Sequence, residues 1–170
     1  MITASNESLL RTMGEDFRRA RKERGFSREI LAELAGVHVN TVAAAERGEK
    51  DLNSLTETKL FAVLGCDGIA VEPDGFRIRL SAAPAAYPRG DILAVPDPRV
   101  VRFMADAVRS RRQGLGLSLG ELADLAGLHR NSVWNFERGL VSPGGLTLYK
   151  IYRTLGIGFV SASPAGVEFR

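Results

Sequence analysis

Cysteine is nearly absent from this chain of 170 residues; Cys66 is the only one. A disulfide within the chain needs two, so no disulfide framework holds the fold, and a cysteine-based zinc site is excluded. Histidine is as scarce, with only His38 and His129. Two imidazoles and one thiol make no convincing metal cluster, and no metal or other cofactor is expected. The chain has no apolar run of the roughly 18 residues needed to cross a bilayer. Its polar N-terminus has no signal-peptide apolar core, so a cytoplasmic protein without membrane contact is expected. The constellations of an enzyme are missing too: there is no phosphate-binding glycine loop, no nucleophile beside a base, and no carboxylate pair in a sensible context. What remains is the composition of an ordinary globular protein, 45% hydrophobic and 25% charged, with a length that fits one or two small domains.

The net charge of +3 is small, but its distribution is uneven. Residues 1–80 hold 12 Lys/Arg against 13 Asp/Glu, whereas residues 98–170 hold 10 against 5. The C-terminal part is therefore the better candidate to meet phosphates.

The chain repeats itself. Setting residue n over residue n+91 aligns 17–79 with 108–170 without a gap, and 23 of the 63 pairs are identical. Leu31, Ala32, Leu34, Ala35 and Gly36 fall on Leu122, Ala123, Leu125, Ala126 and Gly127. His38, Asn40 and Val42 fall on His129, Asn131 and Val133, and Glu46-Arg47-Gly48 falls on Glu137-Arg138-Gly139. The expected domains are residues 9–80 and 98–170, joined by a proline- and alanine-rich extended linker over 81–97.

Both units have the same local pattern. A first helix is expected over 9–24 and again over 99–113. Ser27 and Ser118 are N-caps of short second helices that end at Gly36 and Gly127. Third helices run from His38 and His129 to Gly48 and Gly139. Fourth helices start near Asn53 in the first unit and near Ser142-Pro143 in the second, and end at Gly65 and Gly156. The period then changes to alternation. Ile69 and Val71 face Phe76, Ile78 and Leu80, while Val160 and Ala162 face Val167 and Phe169, so each unit closes with a β-hairpin. A lone hairpin is marginal in water, so the two hairpins are expected to join in one sheet.

Two short helices that cross steeply demand small residues. Ala32 and Ala123 sit where the second helix approaches the third, and Gly36 and Gly127 sit at a turn that favours positive φ. Val42 and Val133 anchor the third helix to the core, with Leu31, Leu34, Leu122 and Leu125 at the other inner positions. With this pattern in place twice, residues 27–48 and 118–139 resemble the helix-turn-helix of the Cro/lambda-repressor-like (XRE) family. The trailing hairpins resemble the β extension of HipB-like antitoxin regulators. The fold class implied is mainly α: two tandem lambda-repressor-like domains, each of four helices and a β-hairpin, arranged as an intramolecular pseudo-dimer.

The resemblance places the third helix in the major groove of double-stranded DNA. In the second unit this presents Arg130, Asn131 and Asn135, side chains that can bond guanine or adenine. In the first unit the same places hold Val39, Asn40 and Ala44, of which only Asn40 can hydrogen-bond to a base. Thr41 and Ser132 are candidate phosphate contacts, and so is Arg28, which Leu119 replaces in the second unit. For His38 and His129 a DNA contact and a capping role both stand open. Trp134, whose counterpart is Ala43, is open to packing on the DNA backbone or on a partner. Arg21 with Glu46, and Arg112 with Glu137, match a family salt bridge between first and third helices and are read as architecture. The run Arg18, Arg19, Arg21, Lys22 reads as a solvated helix face, with phosphate contact as the alternative.

The resemblance implies a sequence-specific transcriptional regulator, a repressor by preference, located with the nucleoid and monomeric as an internal pseudo-dimer, with further self-association open. The rival reading is an antitoxin or antiactivator that holds a toxin or activator protein with one of its units.

Overall fold

Serine, histidine and asparagine side chains set where the helices of the first unit begin. In the computed structural model, which describes residues 4–82, 98–163 and 166–170, the first unit comprises α1 (Asn6–Glu23), α2 (Arg28–Ala35), α3 (Val39–Glu46) and α4 (Ser54–Leu64), then β1 (Cys66–Glu72) and β2 (Gly75–Leu80). Ser5, Ser27, His38 and Asn53 each accept a hydrogen bond from an orphan N–H of the helix that follows, the role that N-cap residues fill. Gly36 ends α2 with φ 62° and Gly65 ends α4 with φ 66°, left-handed conformations that cost little without a Cβ. The second unit repeats the order with α5 (Pro98–Gly114), α6 (Leu119–Ala126), α7 (Arg130–Glu137), α8 (Gly145–Thr154), β3 (Phe159–Ser163) and β4 (Gly166–Phe169). Apart from Ser81 and Ala82, the expected linker lies outside the described residues.

The hairpins form one antiparallel sheet in the order β2-β1-β3-β4. Within the first hairpin Ile69 faces Ile78 and Val71 faces Phe76. Between the units Ile69 faces Val160, a pair one repeat period apart. A second pair of this kind, Asn53 and Gly144, forms an isolated antiparallel bridge.

Around that bridge the units exchange hydrogen bonds reciprocally. Ser54 N–H donates to Pro143 O at 2.7 Å, and its counterpart Gly145 N–H donates to Leu52 O at 3.0 Å. Ser142 Oγ accepts from Leu55 N–H of α4 at 3.0 Å, and its counterpart Asp51 Oδ1 accepts from Leu146 N–H of α8 at 3.0 Å. Each unit thus caps the fourth helix of the other, satisfying N–H groups that a helix start leaves free.

The cores are unequal. One cluster is built from the first unit alone, around Phe17, Leu31, Val42, Leu60, Leu64 and Ile78. The other, around Val108, Leu122, Val133, Phe136 and Ile151, also takes in Leu9, Val71 and Phe76 of the first unit. Phe76 meets the Tyr149 ring edge-on at 5.6 Å, and the Tyr149 hydroxyl donates to the first hairpin turn at Glu72 O and Pro73 O, at 2.9 and 2.7 Å. Burying three such side chains contributes on the order of 5 kcal/mol to holding the units together.

The structure corrects four expectations. Helix α1 starts at Asn6, not Leu9, because Ser5 supplies a cap. Helix α8 starts at Gly145, with Gly144 as its N-cap and no side-chain cap bond from that residue; Ser142 has been recruited to the other unit. Leu125 is not an inner residue but is 64% exposed, and its counterpart Leu34 is half-buried. Arg21 does not belong to a solvated face: it is buried.

Candidate nucleic-acid interface

Helices α3 and α7 are each held by a small residue, a turn and a buried ion pair. Ala32 and Ala123 are buried, and Val42 and Val133 have no exposed surface. Gly36 and Gly127, at φ 62° and 63°, make the turn between the two helices. In the second unit Arg112 grips Glu137 with two bonds, Nε to Oε1 at 2.6 Å and Nη2 to Oε2 at 2.8 Å, and donates its Nη1 to Leu117 O at 2.6 Å. In the first unit Arg21 binds both oxygens of Glu46, and Arg28 Nε donates to Glu46 Oε2 at 2.7 Å. Burial pushes the Glu46 carboxyl up, but Arg21 and Arg28 outweigh it and hold the group below the usual carboxylate range. Arg28, a candidate phosphate contact, is thus engaged within the protein, with 36% of its side chain exposed.

His38 and His129 occupy the N-caps of the two helices. Their Nδ1 atoms accept from Asn40 N–H and Asn131 N–H at 3.1 and 3.3 Å. A nitrogen that accepts carries no proton, so in this geometry Nε2 is the protonated, donating atom of each ring.

The outer faces differ sharply. On α7, Arg130, Asn131, Ser132 and Trp134 are exposed and Asn135 is half-buried, while Val133, Phe136 and Glu137 face inward. On α3, Asn40 is exposed, whereas Val39, Thr41 and Ala44 are half-buried. Arg138, at the end of α7, lays its guanidinium over the Trp134 ring at 4.8 Å, a cation–π contact that orients the charge without neutralising it. Its counterpart Arg47 is instead bound by Glu49, at 2.8 and 2.7 Å. The residue corresponding to Glu49 is Leu140, so the carboxylate that quiets Arg47 has no equivalent beside Arg138. Arg138 also lines a polar hollow of about 220 Å³ with Arg102, Arg109, Asp106 and Glu137, in which Arg109 pairs with Asp106 at 3.1 Å and Glu137 with Arg112.

These paired helices, with the turn glycine and the buried anchor between them, carry a family signature twice. A helix-turn-helix family model matches residues 17–68 and again residues 108–160. The chain belongs to the XRE-type helix-turn-helix family. Members of this helix-turn-helix family are DNA-binding regulators. No curated protein and no solved structure matches the chain significantly. Among the described residues no helix is long and apolar enough to cross a membrane.

Sequence reasoning singled out none of the arginines of this hollow, Arg102, Arg109 and Arg138. Arg138 sits in the shared Glu-Arg-Gly triplet and reads as part of the common frame. The available signal was one step further on, where Glu49 aligns with Leu140.

Proposed function

We propose that this chain is a sequence-specific repressor that binds an asymmetric DNA site as a single-chain pseudo-dimer. The observation that carries the reading is the register between the units: residues one repeat period apart face each other at Ile69–Val160 and at Asn53–Gly144. Self-pairing of equivalent positions is the mark of a two-fold interface, and two-fold helix-turn-helix dimers present their reading helices to half-sites about one helical turn apart. Here both halves lie in one chain.

Helix α7 reads bases with Arg130, Asn131 and Asn135. Arg102 and Arg138 meet phosphates on its flank. Helix α3 offers Asn40 alone for base bonding and contributes mainly register. Repression needs only that the bound protein occlude a promoter, which requires no further surface. Selection of bound DNA from a random pool tests this. The enriched site is asymmetric, and Arg130→Ala weakens binding by roughly 1–3 kcal/mol and relaxes one base pair. An Arg130→Ala protein that kept its affinity and selectivity would overturn the assigned reading face.

One observation favours a second reading, an antitoxin or antiactivator. The first unit's recognition surface is chemically sparse, with Val39 and Ala44 in reading places, Arg47 neutralised by Glu49, and Ile30 on α2 47% exposed. Such a surface suits a protein partner. Enrichment of DNA that is indifferent to mutation of α3, with co-purification of a partner lost on the same mutation, would favour it.

A further inference from the structure

A cavity of about 260 Å³ lies where the two units meet, walled by α4, β1 and β2 of the first unit and by α5, α8 and β3 of the second. Most of its wall is apolar, with Phe61, Phe76, Met104 and Leu148 prominent. Two polar groups break that surface. The Tyr152 hydroxyl, on a residue 2% exposed, is buried without a hydrogen-bond partner. The Glu57 carboxyl makes no hydrogen bond or ion pair among the described residues, and none of the described residues lining the cavity is basic.

A satisfied core does not look like this. Buried hydroxyls are paired in nearly every folded protein, because leaving one unpaired costs about 1–3 kcal/mol, and the Tyr152 hydroxyl is such an exception while the half-buried Glu57 carboxyl stands beside it with no protein partner among the described residues. Neither group is inherited from the repeat: Leu148 stands opposite Glu57 and Phe61 opposite Tyr152. The apolar alternative is thus present in the same molecule at the equivalent place. Burial, with Asp51 facing it, pushes the Glu57 carboxyl well above its ordinary value, and burial together with Glu57 pushes the Tyr152 phenol up. Cys66, the other titratable group on the wall besides Asp67, has its thiol pushed up to about 11 by burial and stays neutral.

We propose that this cavity binds a small, mostly apolar molecule bearing one amine, whose N–H groups donate to Glu57 and Tyr152 while its hydrocarbon body fills the aromatic end. The amine follows from the walls: an acceptor carboxylate, a hydroxyl that accepts as readily as it donates, aromatic faces that attract cations, and no basic residue to welcome an acid. The size follows from the volume, since a cavity of ~150 Å³ takes a benzene ring and this one admits a fused bicycle. Because the walls come from both units, a bound molecule adds contacts across the junction that sets α3 relative to α7. The binding itself does not depend on the DNA-reading assignment.

Calorimetric titration of the full chain with naphthylmethylamine, naphthylmethanol and naphthoate tests the proposal. The amine binds about tenfold or more tighter than the alcohol, as a charge-assisted bond requires, and naphthoate does not bind. Glu57→Gln removes the preference for amine over alcohol, and Tyr152→Phe weakens the amine while preserving the fold, as circular dichroism reports. Three results would overturn the proposal: no binding by any of the three compounds, equal binding of naphthoate and amine, or an amine affinity unchanged in both variants.

Discussion

Replacing the buried arginine of each unit with methionine should harm the two units unequally. Arg112→Met leaves Glu137, whose side chain is 4% exposed, without its two bonds of 2.6 and 2.8 Å. Leu119 stands where a second arginine would help. An uncompensated buried charge of this kind costs about 3–5 kcal/mol. Arg21→Met strips Glu46 in the same way, but Arg28 remains bonded at 2.7 Å. A hydrogen bond to a charged group contributes about 1.5–3 kcal/mol, so the loss falls to about 1–3 kcal/mol. The bonds to Phe26 O and Leu117 O are lost equally and cancel in the comparison. The difference of about 2 kcal/mol corresponds to about 4–8 °C in Tm for a chain of this size. Thermal melts followed by far-ultraviolet circular dichroism measure it, with fluorescence of Trp134, the only tryptophan, as a local probe on α7. Adding Leu119→Arg to Arg112→Met should recover part of the loss. Equal losses, or a larger one for Arg21→Met, would refute the role given to Arg28.

Arg138→Ala should weaken binding to all DNA sequences about equally and reduce the salt slope by about one phosphate contact; Arg47→Ala should do less, because Glu49 already neutralises Arg47. Fluorescence anisotropy at several salt concentrations measures both, and a loss confined to one base pair would contradict the phosphate role. The Glu57 carboxyl titrates higher in the folded chain than in the unfolded one, because burial and then Asp51 disfavour its charge. Between the two pKa values only the folded chain holds the proton, so stability falls as pH rises from the ordinary carboxylate range through the folded value. Glu57→Gln should flatten that fall and be the more stable protein above it; urea titrations across pH that superimpose for the two proteins would refute this. A Cβ on Gly68 would come within 2.1 Å of the Phe159 ring, so Gly68→Phe should cost about 1–3 kcal/mol or more. Adding Phe159→Gly should restore most of it, and a double variant no more stable than the single one would show that the two residues are not complementary.

The frame was legible because its demands are local. Ala32, Gly36 and Val42 are required by a steep crossing of two short helices, and seeing them again at Ala123, Gly127 and Val133 removed the ambiguity of one weak pattern. The hairpins were legible from alternation, and the pairings of Arg112 with Glu137 and of Arg21 with Glu46 from the family resemblance. What failed was whatever the partner unit decides. Ser142 followed by proline has the look of a cap for its own helix, yet its hydroxyl caps α4 of the other unit. Leu125 has the spacing of a core residue and is exposed, and nothing in the structure explains why. Leu9 sits on the first helix of the first unit but buries into the core of the second. Neither Ser142 nor Leu9 has a signal in the local period for its contact, because the neighbour lies in the other unit. The cavity was illegible for the same reason: Glu57 and Tyr152 belong to different units.

The residues along the junction also say why the two units belong in one chain. In a dimer of identical subunits, positions on the axis meet copies of themselves. Here they meet different residues: Gly68 receives the ring of Phe159, and Asn53 bridges to Gly144. Two phenylalanines in the first place would collide, and two glycines would leave a void. Arg79 and Arg170, another pair one period apart, both stack on the single Phe159 ring, at 4.9 and 5.5 Å. A large residue against a small one needs two different partners, so this surface fits its neighbouring unit better than it fits a copy of itself. Linking the units then keeps the complementary partner at high effective concentration. The same freedom from self-matching extends to the outer face, where Arg130 and Arg138 face solvent on one unit, against Val39 and a neutralised Arg47 on the other.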